Sequence, residues 1–367
     1  MTPEAALFRC AERHAWLADG IQHRYHVTGA GADFDGRIRS VQLVQDGRFG
    51  NALYQILHAI LLARRHGWHS IALFPFEGGP DQPVTRAGGL TFLRPDLPGG
   101  GLPPGPVLHG QFLYAPRFGG DLVAVPGHDV SAAVAEVLRP LFRPLVEQAA
   151  AVDPATLVMH FRAGDIFLVT GVHPFYVQPP ASYYLAAVAH ARRAFAITSV
   201  RLVTQDRANP AIDIVEDTLR RQGIGVTVQS SSFAEDLACL LGATHLVAPY
   251  GTFCEIVGLL STRLRSYTAF RQFESHHDFQ CRRVPFLRGA LHQAGIRCIR
   301  ISDPAHDYIP PNAWERTEAQ MEQIRSFPIE RLAVEEVLAG MPELIWPETA
   351  PGPAAHAAAL SKSLPRA

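Results

Sequence analysis

The sequence predicts an α/β protein of two domains, each a parallel sheet carrying helices on both faces. Three observations lead there. Short apolar runs alternate with helical periods all the way from 156 to 269. A strand, a glycine-containing turn, a helix and a second strand succeed one another between Val41 and Phe74. With 367 residues and a 47 % apolar composition, the chain has core enough for two domains of ordinary size.

In the first half, residues 1–38 are polar and Gly-rich after a short helical beginning. Val41, Leu43 and Val44 then form a strand that stops at Gly47-Arg48-Phe49-Gly50-Asn51. Asn51 is expected to cap a helix in which Leu53, Ile56, Leu57, Ile60 and Leu61 recur at helical spacing until Gly67 ends it. Residues 70–74 read as the next strand. Glycines at a helix N-terminus let a ligand approach the backbone closely; their other reading is a tight turn. Residues 75–127, crowded with Pro and Gly, read as loops with one short strand near 107–113. A helix over 130 to about 150 follows, broken at Pro140 and Pro144.

In the second half the pattern is regular. Strands are predicted at 156–161, 200–204, 226–229, 245–248 and 265–269, separated by helices at 181–195, 210–222, 232–241 and 252–260. Residues 296–301 add a strand, helices follow over 314–325 and 329–338, and the Pro/Ala-rich end from Pro347 is expected to be disordered. The resulting division is 1–150 for the first domain, 151–302 for the second, 303–346 for C-terminal helices and 347–367 for the tail.

Composition narrows the function. The formal net charge is −1, and Lys362 is the only lysine, a bias that looks like the codon usage of a GC-rich genome. With no long basic run, nucleic-acid binding is not expected. Glu4, Arg9, Glu12 and Arg13 argue against a signal peptide, and no run reaches the ~18 apolar residues of a membrane span, so a cytoplasmic protein is expected. Cys10, Cys239, Cys254, Cys281 and Cys298 are odd in number without a close pair, as suits reduced thiols. His276, His277 and Cys281 read as a solvated turn, so no zinc site is expected.

The chemistry concentrates in His160-Phe161-Arg162-Ala163-Gly164-Asp165, directly after the apolar run at 156–159. A buried strand ending in a polar, Gly-containing turn delivers side chains to the carboxyl edge of a sheet, where open α/β folds bind ligands. The planar fork of Arg162 suits a phosphate, and Gly164 lets backbone come near one; the other reading of Arg162 is a surface ion pair. Asp33-Phe34-Asp35 is the one pattern that suits a divalent ion against a diphosphate, or else a solvated turn.

Taken in order, four segments resemble the GDP-fucose-dependent fucosyltransferases of GT-B architecture: the bacterial α-1,2 enzymes and, more distantly, the α-1,6 and protein O-fucosyltransferases. Gly47-Arg48-Phe49-Gly50-Asn51-Ala52-Leu53-Tyr54-Gln55 resembles the opening Gly-x-x-Gly-Asn-x-x-(aromatic)-Gln segment. His160 to Asp165 resembles the His-x-Arg-(Arg)-Gly-Asp motif. Leu202 to Asp206 sits where those enzymes have a strand ending in Ser-Asp or Asp-Asp. Glu235-Asp236-Leu237, His245 to Ala248 and Gly251-Thr252-Phe253 resemble their acidic helix, strand and Ser/Thr-Phe turn.

The resemblance implies a GT-B-like fold, two Rossmann-type domains facing a central cleft, and an inverting, metal-independent glycosyltransferase without a cofactor. Its partners would be GDP-fucose or a related nucleotide sugar and a glycan acceptor, in bacterial polysaccharide assembly. Position by position, Arg162 would bind the donor diphosphate and His160 would orient its loop. Asp206 would belong to the donor site, Asp236 would contact guanine or ribose, Gly251, Thr252 and Phe253 would hold a phosphate, and Gly50 and Asn51 would approach the donor from the first domain. Asp165 and His173 are the candidates for the catalytic base. The sequence departs from the pattern at Ala163, where many relatives carry a second arginine that Arg48 would have to replace. It departs again at Cys254-Glu255, where the α-1,2 enzymes carry a tryptophan pair. Two alternatives stay open: a metal-dependent glycosyltransferase using Asp33, Asp35 and another nucleotide sugar, and a non-catalytic module binding a sugar nucleotide or glycan.

Overall fold

The computed structural model describes residues 16–18, 21–23, 25–28, 38–44, 48–103, 105–110, 127–168, 176–270, 274–275, 284–310, 313–338 and 344–345. They divide into two compact α/β units, one holding the described chain up to Pro144 with 275–290, the other Leu145–Glu274 with the chain from Leu291.

The first unit is built on six strands: β1 (Tyr25–Thr28), β2 (Ser40–Leu43), β3 (Ser70–Ala72), β4 (Val84–Ala87), β5 (Leu90–Leu93) and β6 (Val107–Gly110). Their order is β1-β6-β2-β3-β5-β4; the inner four run parallel, with an antiparallel strand at each edge. Helix α1 (Phe49–His66) connects β2 to β3. Leu53, Ile56, Leu57 and Ile60 are buried along it, and Gly67 closes it with its N–H on the Ala63 carbonyl. Asn51 is not its cap. Arg48 holds the N-cap position and Asn51 lies inside the first turn. Burial of Phe49, whose ring packs 6.4 Å from Phe76 and 6.5 Å from Phe142, draws the helix start back beyond Asn51, since packing decides where a marginal first turn forms.

Residues 75–127 hold more order than loops and one strand. Gly88 and Gly89, at φ 55° and 80°, make a two-residue turn that pairs β4 with β5, and β5 then joins the sheet beside β3. Residues 111–126 lie outside the described part. Helix α2 (Gly127–Ala133) continues through a π-helical stretch over Val134–Leu138 into Arg139–Leu141 and Arg143–Glu147, the broken helix that Pro140 and Pro144 predict.

The main sheet of the second unit has seven strands: β7 (Thr156–Phe161), β8 (Ser199–Thr204), β9 (Gly225–Gln229), β10 (His245–Ala248), β11 (Ser266–Phe270), β12 (Arg297–Ser302) and β13 (Ala333–Val337). They are connected by α3 (Ala181–Phe195), α4 (Ala211–Arg221), α5 (Phe233–Leu241) and α6 (Thr252–Leu260), whereas α7 (Val284–Gln293) belongs to the first unit as far as Ala290. The order is β9-β8-β7-β10-β11-β12-β13, parallel except for β13. The chain winds outward from β7 in one direction, then restarts at β10 in the other, so the topological switch lies between β7 and β10. Leu157, Val158 and Met159 are at most 1 % exposed, as a strand covered on both faces requires. Tyr183 and Tyr184 are packing residues, each fully buried. The Tyr183 hydroxyl donates to the carbonyls of Ala248 (2.7 Å) and Thr268 (3.1 Å), and Tyr184 stacks on Phe161 at 3.9 Å.

Two C-terminal expectations are corrected. The helix expected over 314–325 is α8 (Glu318–Ser326), opened by a capping box between Thr317 and Gln320, with Trp314 buried ahead of it. The helix expected over 329–338 is a 3-10 turn, Ile329–Arg331, followed by β13. Good helix formers occupy this stretch, but Arg297 binds Glu336 with two hydrogen bonds of 2.7 Å and Arg300 pairs with Glu335, which ties the segment to β12 as an edge strand.

Candidate functional site

The predicted residues of the second unit gather at the switch point. β7 ends at Phe161 and hands the chain to Arg162, Ala163 and a 3-10 turn over Gly164–Ile166. β10 ends at Ala248, and after Tyr250 the chain turns at Gly251 into the nine-residue helix α6. Gly251 has φ 143°, a conformation that side chains rarely adopt, and a Cβ placed on it would lie 2.9 Å from Arg162 Nη1. The guanidinium of Arg162 therefore lies against the backbone at the N-terminus of α6. That end of the helix presents N–H groups and the positive pole of the helix dipole, so cation and amides act together on one anion.

The loop carrying Arg162 is held from several sides. Asn209 donates its amide to the Arg162 carbonyl at 3.0 Å while its oxygen accepts the Ala211 N–H at 3.0 Å. The ring of Tyr176 lies 4.3 Å under the guanidinium carbon. Gly164 sits against β8's end: a Cβ there would meet Gln205 Oε1 at 2.8 Å and Asp206 Oδ2 at 3.3 Å. One oxygen of Asp206 accepts the Ala208 N–H at 2.8 Å, so this aspartate closes the turn after β8 and packs beneath the Arg162 loop.

His160 projects from the penultimate position of β7 with Nδ1 3.2 Å from Cys254 Sγ and its ring 5.3 Å from Phe253. The residue keeps some exposure, yet dense surroundings strip water from the ring and Arg162 adds a repelling charge, which together push its pKa down to about 3. Burial, helped by Glu255, holds the Cys254 thiol well above its ordinary pKa. The two groups meet as neutral partners that fasten α6 to β7.

Asp236 lies in the first turn of α5, whose Ser232–Glu235 capping box fixes the helix start. Its Oδ1 accepts from Gln229 Nε2 at 2.9 Å and from the Ser231 N–H at 3.3 Å. Partial burial raises its pKa against the opposing pull of Gln229. Phe233 shares that helix face three residues earlier and lies 6.1 Å from Phe253, so α5 brings a carboxylate and an aromatic ring toward the residue that follows Gly251-Thr252 at the start of α6.

His160, Arg162, Asp206, Asp236, Gly251, Thr252 and Phe253 thus belong to one unit and one edge of its sheet. Gly50 and Asn51 lie in the first turn of α1 in the other unit. The backbone of Asp165 is in the 3-10 turn, while its side chain, His173, Asp33 and Asp35 lie outside the described residues. Among the described residues no group of His, Cys, Asp or Glu is placed to hold a metal ion, and no helix is long and apolar enough to cross a membrane. Sequence reasoning missed Tyr176, Gln178, Asn209 and Cys254. Only Asn209-Pro210 carries a local signal, that of an asparagine opening a helix turn; the others act through contacts distant in the chain.

No protein-family model matches the chain, and no curated protein matches it. Among solved structures, a crystal structure of POFUT1 in complex with GDP-fucose is similar to 63 % of this chain and 96 % of that chain, with 14 % identity and a TM-score of 0.40. A likeness of that degree leaves function to be argued from this chain's own residues.

Proposed function

We propose that the protein is a glycosyltransferase that takes a sugar from a nucleoside diphosphate bound at the switch point of its second unit. GDP-fucose is the donor its motifs favour, and a glycan or glycoconjugate is the acceptor. The observation that carries this reading is the contact of the Arg162 guanidinium with Gly251 at the N-terminus of α6. A planar cationic fork and a set of helix amides converge there, a combination suited to the two phosphates of a diphosphate. Asp236 between Phe233 and Gln229 suits a base with neighbouring N–H donors on one edge and flat faces to stack, as guanine has.

In such a transfer the bond from the sugar's anomeric carbon to the phosphate oxygen breaks, and the acceptor hydroxyl oxygen forms a new bond to that carbon from the opposite face. The acceptor proton passes to a base, for which Asp165 and His173 are the candidates, and the nucleoside diphosphate leaves with the bonding electrons. Negative charge grows on the diphosphate as the sugar acquires oxocarbenium character, so donors fixed in place at Arg162 and α6 act most strongly in the transition state.

The test is GDP release from GDP-fucose, with and without candidate acceptors, in the wild-type protein and in Arg162→Lys. The lysine keeps the charge but loses the fork, and losing one such donor is typically worth roughly a hundredfold in rate. Near-normal turnover in folded Arg162→Lys would reject the assignment. Release in the absence of acceptor excludes the purely binding module, and full activity in excess chelator excludes the Asp33/Asp35 metal reading.

A further inference from the structure

Arg162 is gripped on two sides by residues that reach it from different parts of the fold. Gly251 lies against its Nη1, and the Tyr176 ring lies 4.3 Å from its guanidinium carbon. These two walls are joined to each other. The fully buried Gln178 donates its side-chain amide to the carbonyl of Tyr176 at 3.1 Å and to that of Tyr250 at 3.4 Å, and its backbone carbonyl accepts the Tyr308 hydroxyl at 2.6 Å. Tyr308 is 1 % exposed and packs on Phe270 and Phe327, so the bracket is anchored in the core.

A ring stacked on a guanidinium engages its face and leaves its N–H bonds directed in the plane. Whatever fixes that plane fixes the directions in which the fork donates. Resting on the donor-site reading above, we propose that Tyr176 is a positioning residue: through Arg162 it sets the orientation of the diphosphate cradle, and so governs the phosphate-dependent part of nucleotide binding. Its hydroxyl has no part in this role; the aromatic face does.

This is tested by titrating GDP and guanosine into the full chain, comparing wild type with Tyr176→Phe and Tyr176→Leu and checking each for folding by its melting temperature. Guanosine carries the base and ribose without phosphates, so the ratio of the two affinities isolates the phosphate contribution. Tyr176→Phe should keep the ratio within about twofold, whereas Tyr176→Leu should lower GDP affinity by about five- to tenfold with guanosine little changed, the range expected of a lost cation–π contact. In the Arg162→Lys background, Tyr176→Leu should have no further effect, because its path of action is already broken. Tyr176→Gln, which suits a half-buried position, serves the same purpose if the leucine variant does not fold. Equal losses for GDP and guanosine would make Tyr176 scaffold and overturn the inference, as would a phenylalanine variant as weak as the leucine one. A wild-type protein that binds GDP no better than guanosine would instead remove the donor-site reading itself.

Discussion

Gly251 is the residue at which conformation and site meet. Its φ of 143° is open to glycine, and the space a methyl would fill is taken by Arg162 Nη1 at 2.9 Å. Gly251→Ala should therefore cost about 1–3 kcal/mol of backbone strain and also push the guanidinium away, so GDP affinity should fall by about tenfold or more. Chemical denaturation and calorimetric titration of that variant read the two effects separately, and unchanged GDP affinity would disconnect the glycine from the site. Asp236 carries a second expectation at this scale. If its carboxylate reads N–H donors of guanine, Asp236→Asn should weaken GDP far more than it weakens UDP or ADP, which lack that donor pair. A uniform loss across the three nucleotides would make the carboxylate part of the α5 scaffold, where Gln229 and Ser231 already engage it.

Elements explain which parts of this arrangement could be read in advance. Helix α5 is specified locally by Ser232 and Glu235, each bonding the other's backbone. Ser232→Ala should lower stability by about 1 kcal/mol, measured as a shift in the denaturation midpoint; no shift would mean that packing alone sets the helix start. The apolar strands β7 to β11 and the helices between them were legible because apolar runs and helical periods alternate there with little interruption. β13 was not, because Ala333-Val334-Glu335-Glu336-Val337 suits a helix by itself and becomes a strand through Arg297 and Arg300 of its neighbour. The β4–β5 turn was a missed signal, as Gly88-Gly89 stood between two β-prone runs. Asn51 misled because the tertiary burial of Phe49 overrode a good capping residue. In the site, Arg162, Gly251 and Gly164 could be found from a strand followed by a glycine turn. Tyr176 and Gln178 could not, since their roles exist only once the 176–178 segment packs beside the Tyr250–Gly251 turn.

For the molecule as a whole, acid should reveal the neutral histidine at the sheet's edge. His160 stays neutral in the folded protein down to a pKa of about 3, while the unfolded chain takes up that proton near the ordinary value of 6.5. Stability from this residue is therefore complete above pH 6.5 and is lost as pH falls toward 3, with a slope of at most about 1.4 kcal/mol per pH unit. Subtracting urea unfolding curves of His160→Asn from those of wild type across that window should leave a difference that shrinks with acidity. A difference equal at pH 7 and pH 4 would contradict the lowered pKa of His160.

Binding of a nucleoside diphosphate at the β7–β10 switch point is best measured by a thermal-shift titration of the wild-type chain with GDP, UDP, ADP and guanosine. A ligand at a hundred times its dissociation constant stabilises the folded state by about 2.7 kcal/mol. GDP should raise the melting temperature by the equivalent of that energy, guanosine should raise it far less, and the GDP shift should shrink in Arg162→Lys. No shift with any diphosphate, or a GDP shift unchanged in Arg162→Lys, would contradict a diphosphate site there.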